Sequence, residues 1–225
     1  ADVIEPFKPK IISFHFGLPE QALLARVKNW GAKVISSATT LEEALWLEAQ
    51  GVDGIIAQGV EAGGHRGMFL SQDITSQLGL MPLLEQLVKR VKVPVIAAGG
   101  IASNQAVKAC LDLGAAAVQV GTAFLLCPEA KTTPLHRQAL QSEAALHTAL
   151  TNVFTGKPAR GIANRVMQEL GYMQPLAPDF PYASIEMGQL RQAAEEAGNT
   201  AFTPLWCGQN AGGCQAIPAA ELVKQ

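Results

Sequence analysis

Five short apolar runs recur along the first half of the chain, each followed by a helix-like stretch, and this alternation limits the fold more than any other feature. Ile11-Ile12-Ser13-Phe14-His15-Phe16, Lys33 to Ala38, Gly54 to Gln58, Pro94-Val95-Ile96-Ala97-Ala98 and Ala116-Ala117-Val118-Gln119-Val120 have the character of buried strands. Between the first two, Leu23, Leu24, Val27 and Trp30 fall at helical spacing and Gly31 stops the pattern. Thr40-Leu41-Glu42-Glu43 has capping-box spacing, and Gly51 stands where a helix ends. A third helix is predicted over residues 74–91, and a fourth from a cap at Ser103 to Gly114. Strands joined by helical crossovers return to the same end of the sheet and therefore run parallel.

Near-continuous apolar strands imply burial on both faces, which leaves a doubly wound sheet or a (β/α)8 TIM-type barrel. The glycines favour the barrel. Gly99-Gly100 and Gly121-Thr122 each follow a strand, and phosphate-binding barrels build their cradle after the seventh and eighth strands. On that register the five strands are the fourth to eighth, and the first three are expected to be missing, so the chain reads as a fragment. Residues 1–130 are assigned to the barrel strands.

Beyond Thr122 no clear strand is predicted. A helix near residues 135–149, the loop Thr155-Gly156-Lys157-Pro158-Ala159-Arg160-Gly161, a proline-rich bend from Gln174 to Tyr182 and a helix over residues 184–197 read as a helical appendage or lid, residues 131–225.

Seventeen basic residues face nineteen acidic ones, for a net charge of -2, so neither a nucleic-acid footprint nor a polybasic membrane patch is expected. Cys110, Cys127, Cys207 and Cys214 match no zinc or redox spacing and read as buried thiols of a reducing cytosol. No metal site is expected. The acidic, proline-broken N-terminus and the lack of a long apolar run point to a cytoplasmic location.

The chemistry concentrates in Gln58-Gly59-Val60-Glu61-Ala62-Gly63-Gly64-His65-Arg66-Gly67, where a histidine sits among glycines directly after the third strand. Glycines let backbone amides approach a ligand, and an imidazole can move a proton near neutral pH. His65 is therefore the candidate general base or polar substrate anchor. Gly99-Gly100 and Gly121-Thr122 offer backbone N–H groups and a hydroxyl to one phosphate, with Gln119 as core residue or further donor. By contrast His136 and His147 read as surface turn histidines, His15 as a satisfied buried one, Arg66 as a solvated charge, and Lys157 and Arg160 as surface or helix-end structure. No Gly-x-Ser-x-Gly elbow, Walker A loop or His-Glu-x-x-His motif occurs.

Together Gln58 to His65, Gly99-Gly100-Ile101, Gln119-Val120-Gly121-Thr122 and Trp206-Cys207-Gly208-Gln209 resemble the nitronate monooxygenases, formerly called 2-nitropropane dioxygenases, over nearly the whole chain. The resemblance implies an FMN-binding barrel that oxidises alkyl nitronates by O2 to carbonyl compounds and nitrite. It implies that Gln58, Gly63 and Gly64 contact FMN, that Gly99, Gly100, Gln119, Val120, Gly121 and Thr122 hold its phosphate side, and that His65 faces the substrate. The opening strands of the family, with an asparagine that contacts flavin, have no counterpart here. An FMN-dependent enoyl-ACP reductase, an NAD(P)H:quinone reductase and a non-catalytic flavin- or phosphate-binding protein are the alternatives. Expected partners are a small nitronate and O2; self-association and an N-terminal segment kept as a separate chain are both open.

Overall fold

The computed structural model describes residues 1–225. In chain order its elements are β1 (Ile11–Phe14), α1 (Gln21–Asn29), β2 (Lys33–Ala38), α2 (Leu41–Ala49), β3 (Gly54–Gln58), β4 (Gly64–His65), α3 (Leu80–Arg90), β5 (Val95–Ala98), α4 (Asn104–Asp112) and β6 (Ala117–Gln119). They continue with α5 (Pro134–Leu140), β7 (Thr148–Thr151), β8 (Ala159–Ile162), α6 (Arg165–Leu170), α7 (Ala183–Glu196) and α8 (Ala219–Lys224). Two compact units interleave along the sequence: Ala1–Val60, Gly67–Ala98 and Val107–Gln119 form one, and Glu61–Arg66, Gly99–Ala106 and Val120–Gln225 the other. No helix is long and apolar enough to cross a membrane.

The first unit is a five-stranded parallel sheet in the order β1-β2-β3-β5-β6. This order never doubles back, whereas a doubly wound sheet reverses at a switch point. The winding is that of a barrel segment, left open here with β1 and β6 as edges. Burial follows position: β3 is buried at every residue, while Ala117 and Gln119 of β6 are exposed and Ile11 of β1 is 60% exposed.

Helix α3 buries Leu80, Leu83, Leu84 and Leu87, an i, i+3, i+4, i+7 stripe, against β3 and β5. Each leucine contributes about 2 kcal/mol through area removed from water. This helix begins later than the 74–91 expectation. Pro82 lacks an amide hydrogen and is tolerated only in a first turn, so the helix starts at Leu80, and Asp73 caps a separate short turn at Ile74–Ser76. Strand β1 likewise stops at Phe14, because Phe16 and Gly17 adopt left-handed conformations that turn the chain away.

The capping box opening α2 is half realised. The Thr40 hydroxyl accepts the Glu43 amide at 3.2 Å, but the Glu43 carboxylate, 1% exposed, does not return to Thr40. It accepts from the amide and hydroxyl of Thr39, both at 2.7 Å, and from the amides of Phe69 at 2.6 Å and Leu70 at 3.2 Å. Four donors solvate a buried charge and fasten the chain just downstream of His65.

The second unit contains an antiparallel sheet in the order β4-β8-β7, which corrects the expectation of an all-helical tail. The helix expected near 135–149 is divided: Thr133 caps α5, which ends at Leu140, a short 3-10 turn covers Glu143–Leu146, and Thr148 begins β7. These four-residue strands escape recognition because they are too short to show alternation, and the charged Arg160 lies within one of them. Helix α7 falls within one residue of its expected span and closes at Gly198, φ +69°.

Candidate active site

His65 ends β4, a two-residue strand that pairs Gly64 with Arg160 and His65 with Ala159 of β8. The pairing makes the glycine loop a sheet edge rather than a loose turn and fixes the direction of the imidazole. Its Nε2 lies 2.8 Å from the Thr155 hydroxyl, in the turn between β7 and β8. Two aromatic rings flank it: Trp206 with centroids 5.5 Å apart and Phe180 at 5.6 Å, edge to face. Phe154 backs Trp206 edge-on at 5.6 Å, and the Lys157 ammonium stands 5.7 Å from the Phe180 centroid. Burial lowers the Lys157 pKa from its ordinary value, since desolvation disfavours the ammonium.

The segment from Trp206 to Cys214 ties the glycine motifs together. Trp206 bridges to Gly161 of β8, and the Cys207 amide donates to the Arg160 carbonyl at 3.3 Å. The Gly208 amide then donates to the Thr122 hydroxyl at 2.9 Å, and the Gln209 amide to the Glu61 carbonyl at 3.0 Å. Asn210 donates its side-chain amide to the Gly100 carbonyl at 3.1 Å, and the Cys214 thiol donates to the Thr122 carbonyl at 3.1 Å. Thus the loop before His65, the Gly99-Gly100 turn and the Gly121-Thr122 turn all meet one strap.

The glycines divide by physical cause. A Cβ on Gly63 would lie 2.6 Å from the Gly208 amide nitrogen, so backbone packing alone demands glycine there. Gly64, Gly99 and Gly100 have φ of +74°, +122° and +67°, a region that side chains disfavour. Gly121 has φ of -115° and nothing within 4 Å of a built Cβ. Neither backbone nor packing requires glycine at 121, which is exposed and leaves room for a ligand to approach the main chain.

Gln58 and Gln119 end β3 and β6 in the first unit, and Ala98 of β5 pairs with both. Three strand ends are therefore adjacent, and Gly99-Gly100 and Val120-Gly121-Thr122 continue directly from two of them. The Gln58 carbonyl oxygen accepts the Gly67 amide at 2.7 Å, so this side chain braces the histidine loop.

Several residues differ from expectation. Arg66 is fully buried rather than solvated, and its amide donates to the Pro158 carbonyl at 2.8 Å. Arg160 is buried within β8, where it donates to the carbonyl and hydroxyl of Thr148, both at 3.2 Å. Desolvation lowers its pKa, partly opposed by the nearby Glu61 carboxylate. His136 lies in α5 with its Nε2 buried and without a partner, and burial lowers its pKa against a hydrogen bond to the Trp206 backbone. None of the four cysteines forms a disulfide. Burial pushes the Cys207 thiol up to about 12 and the Cys214 thiol up to about 11. No three His, Cys, Asp or Glu side chains are arranged to hold a metal ion.

Nothing in the sequence marks Thr155 and Phe180 as partners of His65. They lie 90 and 115 positions away, and a threonine in a glycine turn or a phenylalanine before proline carries no signal of what it faces.

The sequence profile described as nitronate monooxygenase matches residues 1–225. A nitronate monooxygenase of Pseudomonas aeruginosa is 41% identical over 218 residues, which are 96% of this chain and 62% of that protein. A probable nitronate monooxygenase of Bacillus subtilis is 41% identical over 224 residues, 100% of this chain and 64% of that protein. The chain thus spans somewhat over three fifths of these relatives' length. Among solved structures, a nitroalkane oxidase from Streptomyces ansochromogenes matches with a TM-score of 0.91 and 40% identity, covering 99% of this chain and 64% of that one. FabK from Thermotoga maritima matches with a TM-score of 0.77 and 30% identity, covering 99% and 68%. On this full-length match to the profile, the chain belongs to the nitronate monooxygenase family.

Proposed function

We propose that this chain carries the substrate and phosphate side of an FMN-dependent enzyme that oxidises alkyl nitronates with O2. Each nitronate gains one oxygen atom as its C–N bond breaks, giving a carbonyl compound and nitrite. The observation that carries the reading is the single strap, Trp206 to Cys214, which holds the loop before His65 together with both glycine turns.

In this reading Gly99, Gly100, Gln119, Val120, Gly121 and Thr122 would hold the phosphate side of FMN, and Gln58, Gly63 and Gly64 would contact the flavin. Backbone N–H groups suit a phosphate where no lysine is supplied. The open space beside Gly121 supports the fit. FMN would supply the electron transfers when bound. His65 either takes the α-proton of a neutral nitroalkane or holds a nitro oxygen of a nitronate already ionised, and Trp206 and Phe180 keep water from its ring. Residues 1–130 would provide the strand ends and residues 131–225 a separate appendage, in a reducing cytoplasm that keeps the thiols unoxidised.

The test is anaerobic reduction of the full-length, flavin-loaded enzyme followed in the visible spectrum. Bleaching by an alkyl nitronate, with NADH inert, is the expected result. Bleaching by NADH alone would replace this reading with a reductase.

A further inference from the structure

A nitronate whose nitro group meets His65 must extend its alkyl chain along whatever stands beside the imidazole. Two walls do so, and they differ in kind. Trp206 is backed by Phe154 and fixed by its bridge to Gly161, so that wall is built into the sheet. Phe180 is 39% exposed and belongs to no strand or helix; it sits at the end of the proline-rich bend.

That bend is nonetheless held in place. Asn152 clamps Gln174 with two hydrogen bonds, its side-chain amide donating to the Gln174 carbonyl at 3.0 Å and its carbonyl oxygen accepting the Gln174 amide at 2.8 Å. Gly156, with φ of +91°, packs so closely that a Cβ there would lie 2.2 Å from the Pro178 carbonyl oxygen and 2.6 Å from the Phe180 nitrogen. The turn that carries Thr155 on one side of Gly156 and Lys157 on the other therefore also seats Phe180. The Lys157 ammonium stands over the phenyl ring 5.7 Å from its centroid, and the ring meets His65 edge to face with centroids 5.6 Å apart.

Resting on the nitronate reading above, we propose that Phe180 is the specificity-determining wall of the site and sets the alkyl-chain length of the nitronate accepted beside His65. An apolar, linear chain is the substrate class that these walls suit. A methylene buried against them improves kcat/KM by about fourfold, until the chain reaches the ring and further methylenes gain nothing.

The experiment uses the full-length, flavin-loaded enzyme and a series of primary alkyl nitronates from two to eight carbons. Phe180→Ala is expected to move the kcat/KM maximum to longer chains and to raise the octyl-to-propyl ratio by about tenfold or more. Phe180→Trp is expected to move it toward shorter chains. Calorimetric titration of straight-chain carboxylates, which mimic the nitronate anion without reacting, should shift the same way in Kd. The flavin spectrum and Tm of both variants report folding, and a misfolded variant leaves the other to decide. An unchanged length profile in a folded Phe180→Ala and in Phe180→Trp would overturn the inference while leaving the nitronate reading intact. Failure of the unmodified enzyme to turn over any nitronate would instead remove the reading on which it rests.

Discussion

The Nε2 of His65 lies 2.8 Å from the Thr155 hydroxyl, a polar side-chain contact made directly to the proposed reacting ring. The Thr155 hydroxyl is itself fixed, with the Lys157 carbonyl at 3.3 Å and the Lys157 amide at 3.4 Å. A β-branched side chain in such a turn has little rotamer freedom, so it orients the imidazole at low entropic cost. Thr155→Val, which keeps the shape and removes the hydroxyl, is expected to lower kcat by roughly tenfold and alter its pH profile. Thr155→Ser should recover most of the loss. A Thr155→Val enzyme with unchanged kcat and pH profile would show that the hydrogen bond has no role in turnover.

His65 itself should separate two classes of substrate. His65→Asn is expected to keep the flavin bound and to slow turnover of neutral nitroalkanes by roughly 100-fold, the scale of losing a general base. A preformed nitronate has already lost its α-proton, so only positioning is lost and its turnover should fall much less. Steady-state rates on the paired substrates decide this. Equal, severe losses on both would make His65 an anchor rather than a base.

The glycines supply a contrast within one site. A methyl group at Gly63 meets the Gly208 backbone at 2.6 Å, and neither main chain can yield easily. Gly63→Ala is therefore expected to cost about 1–3 kcal/mol, read as a lower urea midpoint. Gly121→Ala meets open space and an ordinary φ, so the fold should be unaffected while flavin retention drops. A stable Gly121→Ala protein with full flavin content would count against a phosphate beside residue 121.

The strand and helix rhythm of residues 11–120 was legible because each buried strand is an apolar run punctuated by glycine or proline. The sequential parallel order followed once helices separated the strands. His65 and the two glycine turns could be located by their place after those strands. The antiparallel sheet could not be read in this way. Its strands are four residues or fewer, and its partners come from positions 64, 160 and 150, so only tertiary pairing defines it. The burial of Arg66 and Arg160 has no sequence signal for a related reason: charge predicts exposure unless other groups of the fold solvate the guanidinium, as Thr148 on the paired strand does for Arg160.

Glu43 carries a stability prediction of a different kind. Its buried carboxylate gathers four donors from Thr39, Phe69 and Leu70. Glu43→Ala removes the acceptor but leaves three backbone amides and a hydroxyl to be satisfied, which is expected to cost about 3 kcal/mol. Denaturant unfolding of the variant checks the size. A loss below about 1 kcal/mol would mean that water replaces the carboxylate and that the clamp contributes little.

His136 predicts the acid limb of the stability profile. Its pKa is lowered by burial, and the hydrogen bond to the Trp206 backbone only partly offsets this. The folded protein therefore holds the ring neutral where an unfolded histidine, near its ordinary 6.5, already binds a proton. A depressed folded pKa means that the contribution is fully present above about 6.5 and is lost as the pH falls through 6.5 toward the lower folded value. Urea midpoints at pH 7.5 and pH 5.5 should therefore differ more for the unmodified protein than for His136→Gln, which cannot titrate. The local consequence should appear first at Trp206, whose backbone His136 contacts and whose indole packs on His65, so indole fluorescence should change before global unfolding. An identical pH dependence in His136→Gln would assign the acid sensitivity to other groups.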